Sequence, residues 1–161
     1  GSMPQREDTD VNTVVDDAID YFQRRLPHFG GRVQLRREGH SLTKLRFNED
    51  LLGWVLENLI KNGIDALIDG KGTITISLED LDDGGVAMRV ADTGKGIPAR
   101  EGNKIFEPGF TTKKRGWGMG LALVQRITTQ YHSGRIRIES TSQHGTTFLV
   151  NFPPAEDLPA V

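Results

Sequence analysis

The apolar positions of this chain fall into three stretches of helical spacing and several short alternating runs. From Asp10 to Leu26, Val11, Val14, Val15, Ala18, Ile19, Phe22 and Leu26 form one stripe, which predicts an amphipathic helix ended by Pro27 and Gly30-Gly31. Val33 and Leu35, then Leu45 and Phe47, alternate with polar residues and predict two short strands around a turn near Gly39-His40. A second helix is expected from Asn48, a good N-cap, with Glu49 and Asp50 in the first turn; it should run to about Leu67 and stop at Gly70. Its buried face is Leu52, Leu56, Leu59, Ile60, Gly63, Ile64 and Leu67. Residues 73–78 and 86–90 alternate around Asp82-Asp83-Gly84-Gly85 and predict an antiparallel hairpin. Residues 93–118 have no regular period and are rich in Gly, Lys and Thr; so long a structureless stretch is usually functional. A third helix follows from about Met119 to His132, stopped by Gly134, and residues 135–139 and 146–150 close the chain as a second hairpin. The pattern predicts an α+β fold, a two-layer sandwich with three helices on one face of a mixed, mainly antiparallel sheet.

Composition narrows the classes. At 161 residues the chain suits one domain, expected over 4–154, with Gly1-Ser2-Met3 read as a tag remnant and 155–161 as a frayed tail. A net charge of -2 gives no nucleic-acid signature, and no apolar run approaches the ~20 residues of a membrane span. With no cysteine, the chain has no disulfide and no thiolate metal site, which fits a reducing compartment.

Candidate chemistry lies in three places. Asn58, Lys61, Asn62 and Asp65 share the polar arc of the second helix. A solvated face is the ordinary meaning of such an arc, but Asn is a poor helix former where Glu, Lys or Gln would serve. Asn58 and Asn62 are one turn apart, so both amide oxygens can reach one hard cation such as Mg²⁺. The second place is Asp92, which ends a strand before the turn Thr93-Gly94-Lys95-Gly96-Ile97-Pro98. That carboxylate can accept from an exocyclic amine such as adenine N6, or it can simply cap an Asp-Thr-Gly turn. The third is Lys113-Lys114-Arg115-Gly116-Trp117-Gly118-Met119-Gly120-Leu121, which leads into the third helix. Unpaired N–H groups at a helix start attract phosphate and glycines admit it, although a Gly-x-Gly-x-Gly run also describes a linker. Neither the Rossmann spacing nor the Walker A pattern is present.

Taken in order, these segments resemble the nucleotide-binding domain (Bergerat-type) shared by sensor histidine kinases, gyrase-type ATPases, mismatch-repair ATPases and the large heat-shock chaperone ATPases. Residues 57–66 resemble the N box, 92–97 the first glycine box, 105–113 the F box of the kinases, 116–123 the second glycine box, and 144–148 the last glycine-threonine motif. The resemblance covers about Asp10 to Phe152 and implies ATP and Mg²⁺ as ligands. It implies that Asn62 and Asn58 hold Mg²⁺ and that Asp92 accepts from the adenine amine, with Gly94, Gly96 and Ile97 shaping the pocket. It also implies that Gly116, Gly118, Met119, Gly120 and Leu121 wrap the phosphates, that Thr146 supports the adenine side through Asp92, and that 95–118 form a mobile lid. Asp65 stands where many kinases carry Lys, so a phosphate cation would come from Lys61 or Lys113. Gly109 and Trp117 depart from the commoner residues.

Asn58 occupies the position where the hydrolysing relatives usually carry a glutamate base, and an amide cannot activate water. The resemblance therefore points to a histidine kinase catalytic domain that transfers phosphoryl to a histidine on a separate dimerisation domain and serves a response regulator. Glu57 is a candidate for orienting the acceptor imidazole. None of His28, His40, His132 and His144 sits in a phosphoacceptor pattern; each is read as an ordinary surface histidine. The expected domain is monomeric and cytoplasmic without direct membrane contact, in a parent that could be membrane-anchored. A nucleotide-gated interaction module, an anti-sigma-type serine kinase and a true ATPase are the alternatives.

Overall fold

The computed structural model describes residues 7–26, 32–110 and 120–155. Five strands form the main sheet: β2 (Val33–Glu38), β4 (Gly72–Asp80), β5 (Val86–Asp92), β6 (Arg135–Ser142) and β7 (Gly145–Phe152), in the order β2-β4-β5-β7-β6. Only the β2–β4 pairing is parallel. Three helices, α1 (Val11–Gln23), α2 (Glu49–Ala66) and α3 (Gly120–Arg126), supply the apolar layer over one face. Ile74, Ile76 and Leu78 of β4, Val86, Met88 and Val90 of β5, and Phe148, Val150 and Phe152 of β7 point into that layer. The alternate positions carry polar groups, among them Arg89, which reaches both Glu79 and Glu139. This is the two-layer α+β sandwich expected. Among the described residues no helix is long and apolar enough to cross a membrane.

The helices begin as their sequences dictate. The Asp10 carboxylate accepts from Asn12 N–H at 2.9 Å and caps α1; Asn48 Oδ1 accepts from Leu51 N–H at 3.0 Å and caps α2. α2 ends within a residue of the expected Leu67, whereas α1 is shorter than expected. α1 stops at Gln23, and α2 stops at Ala66, where Leu67 turns extended and a single 3₁₀ turn covers Ile68–Gly70. α3 is shorter than expected and passes into a π-helical turn, Ile127–Tyr131.

Two further corrections concern the strands. The runs at 33–35 and 45–47 are strands but not partners: β2 joins the main sheet beside β4, whereas β3 (Lys44–Phe47) pairs antiparallel with a strand the pattern did not predict, β1 (Glu7–Asp10). Alternation shows which side chains point inward but does not identify the neighbouring strand. Nor is the stretch after residue 93 wholly without structure. Gly102–Phe106 forms a 3₁₀ turn that buries Ile105 and Phe106, with Phe106 edge-on to Phe148 at 6.3 Å.

His40 and His144 are exposed as expected, while His28 lies outside the described residues. His132 is the exception. It is buried, its Nε2 accepts from Asn48 N–H at 3.0 Å and its ring packs 5.0 Å from Phe47. An acceptor at Nε2 places the ring proton on Nδ1, 3.1 Å from Ile127 O. The supposed surface histidine is a core link between the start of α2 and the turn after α3.

Candidate functional site

Asp92 ends β5, the central strand, opposite Ile74 of β4 and Thr146 of β7, so its carboxylate lies at one end of the sheet, against Gly63 of α2. The residue is only 9% exposed. Its Oδ1 accepts from Gly94 N–H at 2.8 Å and from Thr146 N–H at 3.3 Å. Burial raises the Asp92 pKa above the usual 3.8, and the two N–H donors only partly oppose it. Both bonds fall on Oδ1. Oδ2 faces Gly63 of α2, 3.8 Å from the point a Cβ there would occupy. A buried carboxylate with one oxygen tied to the backbone and the other facing a glycine is a directional acceptor for a partner's N–H.

Gly63 is where α2 approaches the sheet most closely beside Asp92. A Cβ at that position would lie 2.9 Å from Ile74 Cδ1 and 3.4 Å from Asp92 Cβ. The glycine thus lets α2 lie against Ile74 and Asp92 without displacing either side chain. Asn58 is half-buried; its Nδ2 donates to Trp54 O at 2.8 Å, which turns Oδ1 outward. That oxygen points to the start of α3, 3.5 Å from the position of a Cβ on Gly120. Asn62, one turn on, is also half-buried; Asp65 and Lys61 are exposed.

The turn after Asp92 is built by close backbone approach. A Cβ on Gly94 would strike the Ala66 carbonyl at the end of α2, and Lys95 N–H donates to that same oxygen at 3.0 Å. Gly96 has φ +80° and its absent Cβ would meet the Ser142 carbonyl, so only glycine fits. Ile97 is half-buried against the core, and its N–H donates to Thr141 Oγ1 at 2.9 Å.

The structure thus gathers Asp92, Gly94, Gly96, Ile97 and Thr146 at one end of the sheet, and sets Asn58 Oδ1 facing Gly120 at the start of α3, with Leu121 half-buried against the core. Thr146 reaches Asp92 through its backbone N–H. Glu57 lies elsewhere: it lines the cleft between α1 and α2 with Val14, Tyr21 and Trp54. A second cleft, between Phe106, Pro108, Gln125 and Ile136, is also separate from Asp92. Lys113, Gly116, Trp117, Gly118 and Met119 lie outside the described residues. Sequence reasoning missed Thr141, which stands in no motif, and the role of Gly63, whose place on the buried face was seen but not its contact with Asp92.

Among the described residues no three Asp, Glu or His side chains gather as a metal site. A cation here would take oxygen from amides and from a ligand. The outward Asn58 Oδ1 suits Mg²⁺, a hard ion that completes its shell with water and phosphate oxygens.

A family model described as histidine kinase-, DNA gyrase B- and HSP90-like ATPase matches residues 47–156. The sensor histidine kinase ZraS of Klebsiella oxytoca is 41% identical over 113 residues, covering 70% of this chain and 24% of that protein. The signal transduction histidine-protein kinase AtoS of Escherichia coli K12 is 39% identical over 150 residues, covering 92% of this chain and 24% of that protein. The chain therefore spans about a quarter of the length of these relatives. Among solved structures, the nucleotide-free catalytic domain of the histidine kinase ThkA superposes with a TM-score of 0.81 at 27% identity, covering 92% of this chain and 95% of that one. ThkA has also been solved in complex with a response regulator protein, TrrA; that ThkA chain matches with a TM-score of 0.78 at 25% identity, over 95% of this chain and 43% of its own length.

Proposed function

Because the chain belongs to the family of histidine kinase-, DNA gyrase B- and HSP90-like ATPases, we propose that it binds Mg-ATP and transfers the γ-phosphoryl group to a histidine on a separate domain of its parent. The observation that carries this reading is the Asp92 carboxylate, with Oδ1 tied to Gly94 and Thr146 and Oδ2 turned toward Gly63. Adenine offers an exocyclic amine to such an acceptor; guanine presents a carbonyl there, which Asp92 would repel.

With the base at Asp92, the triphosphate runs along α2 toward the start of α3. There Asn58 and Asn62 are the residues that would hold Mg²⁺, which supplies charge neutralisation for the phosphate oxygens. Asn58 keeps its N–H₂ on Trp54 O and cannot take a proton from water, so this site has no side chain at that position to drive hydrolysis. Positioning is what the chain contributes: it holds the γ-phosphate for attack by an imidazole nitrogen from outside, as the bond to the ADP oxygen breaks and the N–P bond forms. None of the described histidines is given the acceptor role: His132 is buried in the core, His40 follows β2 in a loop, and His144 sits at the tip of the β6–β7 hairpin, at the Asp92 end that this reading gives to the base. Glu57, on the α1 side of α2, would meet the acceptor only if it docks over that cleft. A response regulator would take the phosphoryl group next, in line with the pairing of ThkA with TrrA.

The test is incubation of this chain with γ-labelled ATP, Mg²⁺ and the phosphoacceptor domain of its parent. Acid-labile, base-stable label on that domain is expected. Acid-stable label would mean a hydroxyl acceptor, and rapid release of free phosphate without label would mean hydrolysis; either overturns the reading.

A further inference from the structure

The β6–β7 hairpin holds a threonine pair that no motif marks. Thr141 of β6 lies opposite Thr146 of β7, just past the register shift between Ile138 and Ser140. Their hydroxyls are 2.8 Å apart. Thr141 Oγ1 also accepts from Ile97 N–H at 2.9 Å, and Thr146 N–H donates to Asp92 Oδ1 at 3.3 Å. A continuous chain of hydrogen bonds therefore runs from Ile97 through Thr141 and Thr146 to Asp92.

The packing around it is equally tight. The Gly96 backbone lies against the Ser142 carbonyl, and the Gly145 backbone against the carbonyl of Asp92 itself, each too close for a Cβ. The hairpin tip is thus wedged between the carboxylate and the turn that leaves it. Thr141 is exposed, so its hydroxyl could bond to water at little cost; instead it accepts from Ile97 N–H and shares a hydrogen bond with Thr146 Oγ1.

We propose that Thr141 is a positioning residue for the adenine-recognising carboxylate. By tying Ile97 to Thr146 it fixes the turn Gly94–Ile97 at one distance from β7, and with it the two N–H groups that aim Asp92 Oδ2. The proposal rests on the nucleotide reading given above. It assigns base selectivity partly to a hydroxyl that need not touch the base. Serine, which keeps the hydroxyl, should serve; valine, which keeps the shape without it, should not.

The experiment measures ATP affinity by calorimetry for the wild-type chain, Thr141→Val, Thr141→Ser, Asp92→Asn and the double variant Thr141→Val/Asp92→Asn. One hydrogen bond in such a chain corresponds to roughly a three- to tenfold loss for Thr141→Val, with Thr141→Ser near wild type. In the Asp92→Asn background the Thr141→Val loss should shrink to less than about twofold, because the group it aims has been changed. Amide exchange at Ile97 without nucleotide should speed up in Thr141→Val and recover in Thr141→Ser. Equal affinity for wild type and Thr141→Val, or a loss that is fully additive with Asp92→Asn, overturns the proposal while leaving the nucleotide site standing. Failure of the wild-type chain to bind ATP overturns both.

Discussion

Asn58 Oδ1 looks directly at Gly120 across the gap between α2 and α3, 3.5 Å from where a Cβ on that glycine would sit. The separation is ordinary van der Waals contact, so among the described residues a methyl group fits without moving either helix. Gly120 is also the first residue of α3, where alanine favours the helix. Among the described residues nothing requires glycine here. If the gap instead serves the phosphates and their cation, Gly120→Ala should leave the melting temperature unchanged or slightly higher and weaken Mg-ATP by about tenfold, ~1.4 kcal/mol. Thermal melts and nucleotide titrations on the same preparation check both halves. A variant that melts normally and binds Mg-ATP as well as wild type would remove the phosphates from this gap.

Asp92→Asn separates recognition from folding. Asparagine keeps an oxygen for the Gly94 and Thr146 N–H groups and puts an amide N–H₂ where Oδ2 now faces Gly63. That donor would oppose the adenine amine and suit the guanine carbonyl. Loss of a hydrogen bond to a charged acceptor is about 1.5–3 kcal/mol, or roughly ten- to hundredfold in ATP affinity. The wild-type preference for ATP over GTP should narrow or invert in the variant. Competition titrations with the two nucleotides read it directly, and an unchanged ratio would separate Asp92 from the base.

How much of this was legible beforehand depends on the range of the interactions. The buried face of α2 followed from spacing, and the place of Asp92 followed from a strand ending in a glycine turn, because both are local. β1 was not legible: Glu7, Asp8 and Asp10 are charged and exposed, and only Thr9 is buried. The burial of His132 depends on Asn48, far away in sequence, and its polar neighbours in the chain suggested a surface. The Thr141–Thr146 pair was hidden for another reason. Hydroxyls are common in hairpins, and nothing in the sequence says which one will meet a backbone N–H from the Asp92 turn.

The raised Asp92 pKa gives a pH dependence with a definite sign. Burial lifts the folded pKa above the unfolded 3.8, so between those two values the folded protein holds a proton that the unfolded chain releases. Stability contributed by this group is complete below 3.8 and is lost as pH rises through the folded value. Asp92→Asn, which does not titrate, should therefore gain on wild type in denaturant midpoint as pH moves from acid to neutral. Nucleotide works against the same shift: an adenine amine on Oδ2 favours the ionised form, so ATP binding in mildly acid buffer should release protons. Calorimetry in two buffers of different ionisation heat measures that release, and Asp92→Asn should reduce it by the part Asp92 contributes, leaving the nucleotide's own phosphate protons. Proton uptake would mean that the carboxyl binds its ligand in the neutral form.

Gly53 offers a prediction about α2 that is independent of the nucleotide. It lies in the helix interior, just over one turn after the Asn48 cap, and a Cβ added there would meet nothing within 4 Å among the described residues. Its surroundings are the cleft between α1 and α2, lined also by Ala18, Asp50 and Trp54, on the side of α2 away from Gly120. Glycine in a helix interior costs about 0.5–1 kcal/mol relative to alanine, largely through the entropy of the unfolded chain. With no contact to disturb, Gly53→Ala should recover most of that and raise the melting temperature by roughly 1–4 °C. Mg-ATP affinity should stay within twofold of wild type, since neither Asn58 nor Asp92 is touched. The two readouts together matter: a stabilised variant with intact binding shows that the cleft is open in the free domain. A variant that melts lower would mean that the space beside Gly53 is filled in solution, and that α1 and α2 pack more closely than the structure has them.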